Sequence, residues 1–261
     1  MTIAGSDSGG GAGIQADLKT IAAHGLHGVS AITAITAQNT RGVSAVHPCP
    51  PALVRAQIDA LFDDFAIAAV KIGMLADAGL IATVADALQA RAGCPVVLDP
   101  VMVASSGARL LAADALDALV ERLFPLCTVL TPNLPEAALL LGVERIDRDG
   151  MAAAALALQQ RGAAAVLLKG GHLAQGAVID RLQLPGRACE FSHVRLTLEG
   201  HGTGCTLSSA IACGLATGAS LEAACAAACD YVHGALRGAV HPGTAPLAVL
   251  DHFWRQHRER G

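Results

Sequence analysis

Short apolar runs recur along the chain at residues 1–4, 29–35, 69–72, 96–98, 129–130 and 166–168, most of them bounded by glycine, proline or polar residues. Longer Ala/Leu-rich segments lie among them at residues 14–24, 51–64, 80–92, 112–123, 135–141 and 150–161. Apolar positions three and four apart share one side of a helix, whereas a brief continuous run suits a strand buried on both faces. Strands alternating with helices predict an α/β fold of three layers, with a mainly parallel central sheet and helices on both faces. Residues 176–198 break the rhythm with polar alternation and predict an antiparallel hairpin; residues 203–237 return to helix, dense in alanine. No linker, repeat or low-complexity block intervenes, so residues 1–261 are expected to form a single domain, with only a loop near residues 48–51.

In such sheets ligands gather beyond the carboxyl ends of the strands. Polar or glycine-rich clusters follow the predicted strands at residues 5–13, 38–40, 73–74, 99–100, 131–136 and 169–172. Six clusters at one sheet edge predict one site.

Composition narrows what that site binds. Hydrophobic residues make up 53% of the chain and aromatics only 3%, so the core is built from Ala, Val, Leu and Ile. A net charge of -4 leaves no positive excess to neutralise a polyphosphate backbone, which argues against general nucleic-acid binding. A small anion needs only local donors. No apolar run approaches the roughly 20 residues that span a membrane, and the chain opens on a strand without a basic or apolar leader, so a cytoplasmic location is expected. The eight cysteines include no CxxC pair and read as neither a disulfide framework nor a zinc site. Cys225 and Cys229, four apart in an Ala-rich stretch, read as small core residues.

Several positions carry candidate chemistry. The glycine-rich stretch at residues 5–13 lets backbone approach a ligand, but its spacing matches neither GxxxxGK[ST] nor GxGxxG. Asp17, inside the following helix, is either a site carboxylate or a solvated helix residue. Gly202, Thr203, Gly204 and Cys205 stand at a helix start, where successive N–H groups hold an anion such as a γ-phosphate. A thiol in that first turn is expected to have a lowered pKa, which singles out Cys205; the alternative is a small buried residue. Asn133 and Glu136 are three apart, suited to Mg²⁺ through water or to ordinary helix capping. Asp99 ends one strand as an acid near a metal or triphosphate, and Lys169 ends another as a compact cation for phosphate.

Read together, IAGSDSGGGAGIQAD at residues 3–17, KIGM at 71–74, DPVM at 99–102, TPNLPEA at 131–137, KGGH at 169–172 and HGTGCTLS at 201–208 resemble the bacterial hydroxymethylpyrimidine/phosphomethylpyrimidine kinases of the ribokinase superfamily. The resemblance runs in order from residue 3 to about 240. It implies ATP-dependent phosphorylation of a hydroxymethylpyrimidine, then of its monophosphate, in thiamine biosynthesis, by a homodimer using Mg²⁺. It also implies that Gln38 hydrogen-bonds the aminopyrimidine, with Ala12, Asp17, Met74 and Val101 around it. Asn133 and Glu136 would organise Mg²⁺, Asp99 and Lys169 would lie by the ATP phosphates, and Gly202–Cys205 would form the anion hole. Sugar kinases of the superfamily carry an Asp base where Cys205 stands. Many members have Glu at the position of Gln38, and polar uncharged residues where Glu199-Gly200 stand. A pyridoxal kinase and a non-catalytic pyrimidine-binding module are the rival expectations.

Overall fold

The computed structural model describes residues 1–91, 93–103, 107, 110–173 and 176–258. Its sheet comprises β1 (Thr2–Asp7), β2 (Ser30–Asn39), β3 (Gly42–Pro48), β4 (Val70–Ile72), β5 (Val96–Leu98), β6 (Val129–Leu130), β7 (Val166–Leu168), β8 (Val178–Leu184) and β9 (Arg187–His193). The strand order is β3-β2-β1-β4-β5-β6-β7-β8-β9. The strands from β2 to β7 in that order are parallel, while β3, β8 and β9 pair antiparallel at the two margins. The chain lays β2 on one side of β1 and β4 on the other, so the topological switch point lies between β1 and β4. A parallel pair, β10 (Gly200–His201) with β11 (Ala248–Val249), forms a second small sheet.

One face of the large sheet is covered by α2 (Pro51–Asp64), α3 (Ala78–Gln89), α4 (Leu116–Leu123), α5 (Leu134–Leu141) and α6 (Met151–Gln160). The other carries α1 (Gly13–Ala23), α7 (Thr203–Ala216) and α8 (Leu221–Arg237). Successive strand side chains point to opposite faces. Val70, Ile72, Val96, Leu98 and Leu130 accordingly join the first core, and Val97, Val129 and Leu167 the second. Cys225 and Cys229 lie on α8 and are buried on its core face, as their spacing implies.

The three-layer α/β architecture and the antiparallel hairpin agree with the apolar pattern. Three details differ. β1 extends to Asp7 and β2 to Asn39, so the first residues of the cluster at 5–13 and Gln38 itself are strand, not loop. The marginal strand β3 has an exposed, weakly apolar pattern that resembles loop, and the expected break at residues 48–51 closes β3 at Pro48 and opens α2 at Pro51. The expected helix over residues 80–92 runs Ala78–Gln89, and Ala92 lies outside the described residues.

The C-terminal α9 (Trp254–Arg258) is fastened to α8: Tyr231 Oη donates to the His252 carbonyl (2.6 Å) and Trp254 Nε1 to the Tyr231 carbonyl (3.1 Å). A Cβ on Gly234 would fall within the van der Waals envelope of the Trp254 indole, a rigid neighbour. Gly234→Ala gains about 1 kcal/mol of helix propensity and loses about 1–3 kcal/mol to overpacking. The second effect is expected to win, so thermal unfolding of Gly234→Ala should show a lowered Tm.

Candidate active site

At the switch point the alternation of the sheet is interrupted by charge. Thr2, Lys71, Val97 and Val129 form one register row across β1, β4, β5 and β6. Its last two members are apolar, but β4 places a lysine there, 1% exposed. Lys71 Nζ lies 2.9 and 2.8 Å from the two oxygens of Asp17, itself 0% exposed. Thr2 Oγ1 (2.6 Å) and Ser209 Oγ (2.8 Å) also donate to the Asp17 carboxylate. Asp17 is thus an enclosed junction of β1, β4, α1 and α7. The alternative of a solvated helix residue fails because α1 turns this face onto the sheet under α7. The described partners of the carboxylate are three side chains, Thr2, Lys71 and Ser209, which make four contacts with it and leave it fully enclosed. Burial opposes the Lys71 charge, but Asp17 outweighs it and raises the ammonium's pKa.

The two glycine-rich loops meet through Asp7. Its carboxylate accepts from the backbone N–H groups of Gly9 (2.8 Å), Gly11 (3.0 Å) and Ala12 (2.8 Å), and lies 3.0 Å from His201 Nε2. Burial works against that carboxylate's charge, yet His201 and the N–H groups of Ala12 and Gly9 hold its pKa below the usual value. Gly202, at φ +81°, turns the chain from β10 into α7, and a Cβ there would collide with the Gly11 carbonyl. The Gln38 amide lies 3.0 Å from His201 Nε2, the nitrogen that also faces Asp7, and 3.2 Å from Thr36 Oγ1, whose hydroxyl also faces the Ser6 carbonyl.

Lys169 Nζ pairs with Asp99 Oδ1 at 3.0 Å and faces the start of α7, where a Cβ on Gly204 would lie 3.1 Å from that ammonium. A cation set against the positive end of a helix is repulsive until an anion lies between them. The arrangement therefore suits phosphate. Burial again works against the charge, and Asp99 and then Glu136 raise the Lys169 pKa.

Asn133 and Glu136 form a reciprocal capping box on α5: Glu136 N–H donates to Asn133 Oδ1 and Asn133 N–H to Glu136 Oε2, both at 2.8 Å. The capping alternative is thus realised. Glu136 is 6% exposed, and burial pushes its carboxyl up to about 7, with Lys169 lowering it and Asp99 raising it.

Cys205 lies in the first turn of α7, half-buried. Its expected low pKa is not found: burial pushes the thiol up to about 11, and the carboxylates of Asp17 and Asp99 add to this against Lys71 and the Gly13 N–H. Loss of solvent and two nearby anions outweigh the helix terminus. Ala12 caps α1, Met74 packs into the core against Gly5, and Val101 is half-buried beyond β5. The structure thus brings Cys205, Asp17, Asp99, Lys169 and Gly204 into one neighbourhood and joins Gln38 to it through His201. Asp7, His201 and Lys71 were assigned no role on sequence grounds. For Lys71 a signal existed, a lysine within an otherwise apolar strand.

A profile of the phosphomethylpyrimidine kinase family matches residues 7–249. The chain belongs to this family. It is 49% identical over 267 residues to a hydroxymethylpyrimidine/phosphomethylpyrimidine kinase of Rhizobium meliloti, covering 98% of each chain. Among solved structures, the ADP complex of Bacillus subtilis pyridoxal kinase superposes with a TM-score of 0.90 at 33% identity, covering 98% of this chain and 97% of that one. A phosphomethylpyrimidine kinase from Clostridium difficile superposes with a TM-score of 0.79 at 41% identity, over 89% and 96% of the two chains. The fold is thus shared by kinases of two flat heteroaromatic substrates, and the chain is a kinase.

Glu136→Gln in this kinase keeps an oxygen for the Asn133 N–H and removes only the charge. The folded pKa of about 7 exceeds the ordinary 4.5, so the wild type binds more protons folded than unfolded between those values. Its stability contribution is full below the unfolded pKa and is lost as pH rises through the folded one. Melting curves from pH 4.5 to 8 should show wild-type Tm falling relative to Glu136→Gln. Parallel curves would mean that Glu136 ionises normally.

Proposed function

We propose that the chain transfers the γ-phosphoryl group of ATP to the hydroxymethyl oxygen of 4-amino-5-hydroxymethyl-2-methylpyrimidine, and then phosphorylates the monophosphate to the diphosphate, in thiamine biosynthesis. The observation that carries this reading is the Lys169 ammonium facing the first turn of α7, a built place for a transferring phosphate. The 49% identity with a hydroxymethylpyrimidine/phosphomethylpyrimidine kinase favours the pyrimidine as acceptor. The TM-score of 0.90 with a pyridoxal kinase makes pyridoxal the second acceptor to test. Mass spectrometry of products from each alcohol with Mg-ATP decides between them: pyrimidine mono- and diphosphate support the proposal, and pyridoxal phosphate alone overturns it.

In this reading the acceptor lies against Gln38, Ala12, Met74 and Val101, and the nucleotide phosphates against Lys169, Asp99 and the N–H groups of Gly202–Cys205. The acceptor oxygen bonds to the γ-phosphorus as the bond to the β-bridging oxygen breaks and ADP leaves. Negative charge spreads over the transferring oxygens, where the α7 N–H groups and Lys169 stabilise it. Among the described residues no cluster of three or more acidic, His or Cys side chains can hold a metal. The capping box occupies Asn133 Oδ1 and Glu136 Oε2. These residues fit a Mg²⁺ that is held mainly by phosphates and water, with Glu136 and Asn133 organising the water. Bound with the nucleotide, the ion neutralises phosphate charge. No helix among the described residues is long and apolar enough to cross a membrane. We further propose one cytoplasmic kinase unit over residues 1–261 that works as a homodimer.

Gln38→Ala is expected to weaken pyrimidine binding by about 1–3 kcal/mol and leave ATP binding nearly unchanged. Calorimetry showing equal losses for both ligands would make Gln38 structural.

The two acceptors differ in their protons. An alcohol must lose one, whereas a phosphate monoester arrives as an anion, so a Cys205 base serves the first transfer only. With the thiol pushed up to about 11, its competent thiolate fraction grows about tenfold per pH unit near neutrality. Single-turnover transfer to the alcohol should therefore rise steeply from pH 7 to 9, while transfer to the monophosphate stays nearly flat. Cys205→Ala should slow the alcohol reaction by about 10²-fold and abolish the slope. A pH-independent alcohol reaction in the wild type would remove Cys205 from the role of base.

A further inference from the structure

The Asp17–Lys71 pair is more than a staple in the sheet. Replacing buried ion pairs by apolar residues is often neutral or stabilising, and the same register row takes Val97 and Val129 on the next two strands. What distinguishes the pair is its position behind the acceptor side of the site. Asp17 of α1 accepts from Ser209 of α7 at 2.8 Å, one helical turn beyond Gly13 on α1 and beyond Cys205 on α7. The first turns of α1 and α7 are thus tied together just behind Cys205. Lys71 reaches this tie from β4 and fills the space beneath Gly73, where a Cβ would lie 2.8 Å from its Nζ.

We propose that Lys71 is a positioning residue for phosphoryl transfer, a buried counter-charge that acts on the reacting centre through Cys205 and, through Asp17, holds the two helix starts together. This rests on the proposed acceptor-side role of Cys205. The charges around the thiol come from four elements: Asp17 from α1, Lys71 from β4, Asp99 beyond β5 and Lys169 beyond β7. The two carboxylates disfavour a thiolate, and Lys71 is the cation that offsets them most directly. Without it, two buried carboxylates would face the thiol against Lys169 alone, which Asp99 already engages.

The test uses the whole chain without nucleotide. Iodoacetamide alkylation of the Cys205 peptide at pH 8.5, followed by mass spectrometry, reads the thiolate separately from the other seven cysteines. Asp17→Asn should speed alkylation and Lys71→Met should slow it. Each change should reach about threefold or more per unit of thiol pKa, since a tenfold change in thiolate is partly offset by nucleophilicity. The double variant Asp17→Asn/Lys71→Met, which leaves no unpaired charge, should regain wild-type Tm. Its kcat for the alcohol should nonetheless remain at least about tenfold down, with KM for ATP unchanged. Shifts of the same sign in the two single variants, or recovery of kcat together with Tm in the double variant, would overturn the proposal. If Lys71→Met does not fold, Asp17→Asn and the double variant decide on the same criteria. Alkylation needs no turnover, so a wrong acceptor assignment would leave this readout standing.

Discussion

Asp17 and Lys71 meet where neither can share its charge with water, and the geometry of the active edge depends on that meeting. Each alone would be a costly buried ion, so the pair forms only when β1, β4, α1 and α7 come together with Thr2 and Ser209 as further donors. The sheet reverses its winding direction at β1 and β4. A doubly wound sheet leaves a crevice at such a point, and the ionic junction lies there. Through Ser209 it ties α7 to α1, the helix that follows the glycine loop.

The rest of the site is a balance of buried charge. Asp7 closes the two glycine loops on each other by drawing N–H groups from one and the His201 ring from the other. Asp99 holds Lys169 in front of a helix N-terminus, so positive charge is concentrated at the start of α7. Cys205 and Glu136 show the other side of that enclosure. Glu136 is buried and Cys205 half-buried, and both are shifted toward their neutral forms. A pocket dry enough to strengthen contacts with a transferring phosphoryl group also makes a resting thiolate unfavourable.

The likeness to pyridoxal kinases and to a phosphomethylpyrimidine kinase fits the proposed division of labour. In that reading the N–H groups at the start of α7 would serve either ring, and discrimination would fall to the acceptor side, where the Gln38 amide lies against His201 and Thr36. An amide placed before the ligand arrives would read a ring edge at low entropic cost.

The chain by itself determined the layers, because period is local: short runs buried on both faces make strands, and apolar positions every three to four residues make helices. It also determined the clusters at the strand ends, since glycine and helix-start chemistry are local. β3 was hidden because a marginal strand with one solvated face lacks the apolar signal. The fate of single polar residues was a tertiary matter. Asp17 is as compatible with a wet helix face as with an ion pair until β4 supplies Lys71, a partner 54 positions away. Asn133 and Glu136 were legible as a pair, but the neutral shift of Glu136 comes from burial beside Asp99. Cys205 was legible as a residue at a helix start, where local reasoning lowers a thiol pKa. The assembled fold raises it, because desolvation and the carboxylates of Asp17 and Asp99 arise only when distant segments pack together.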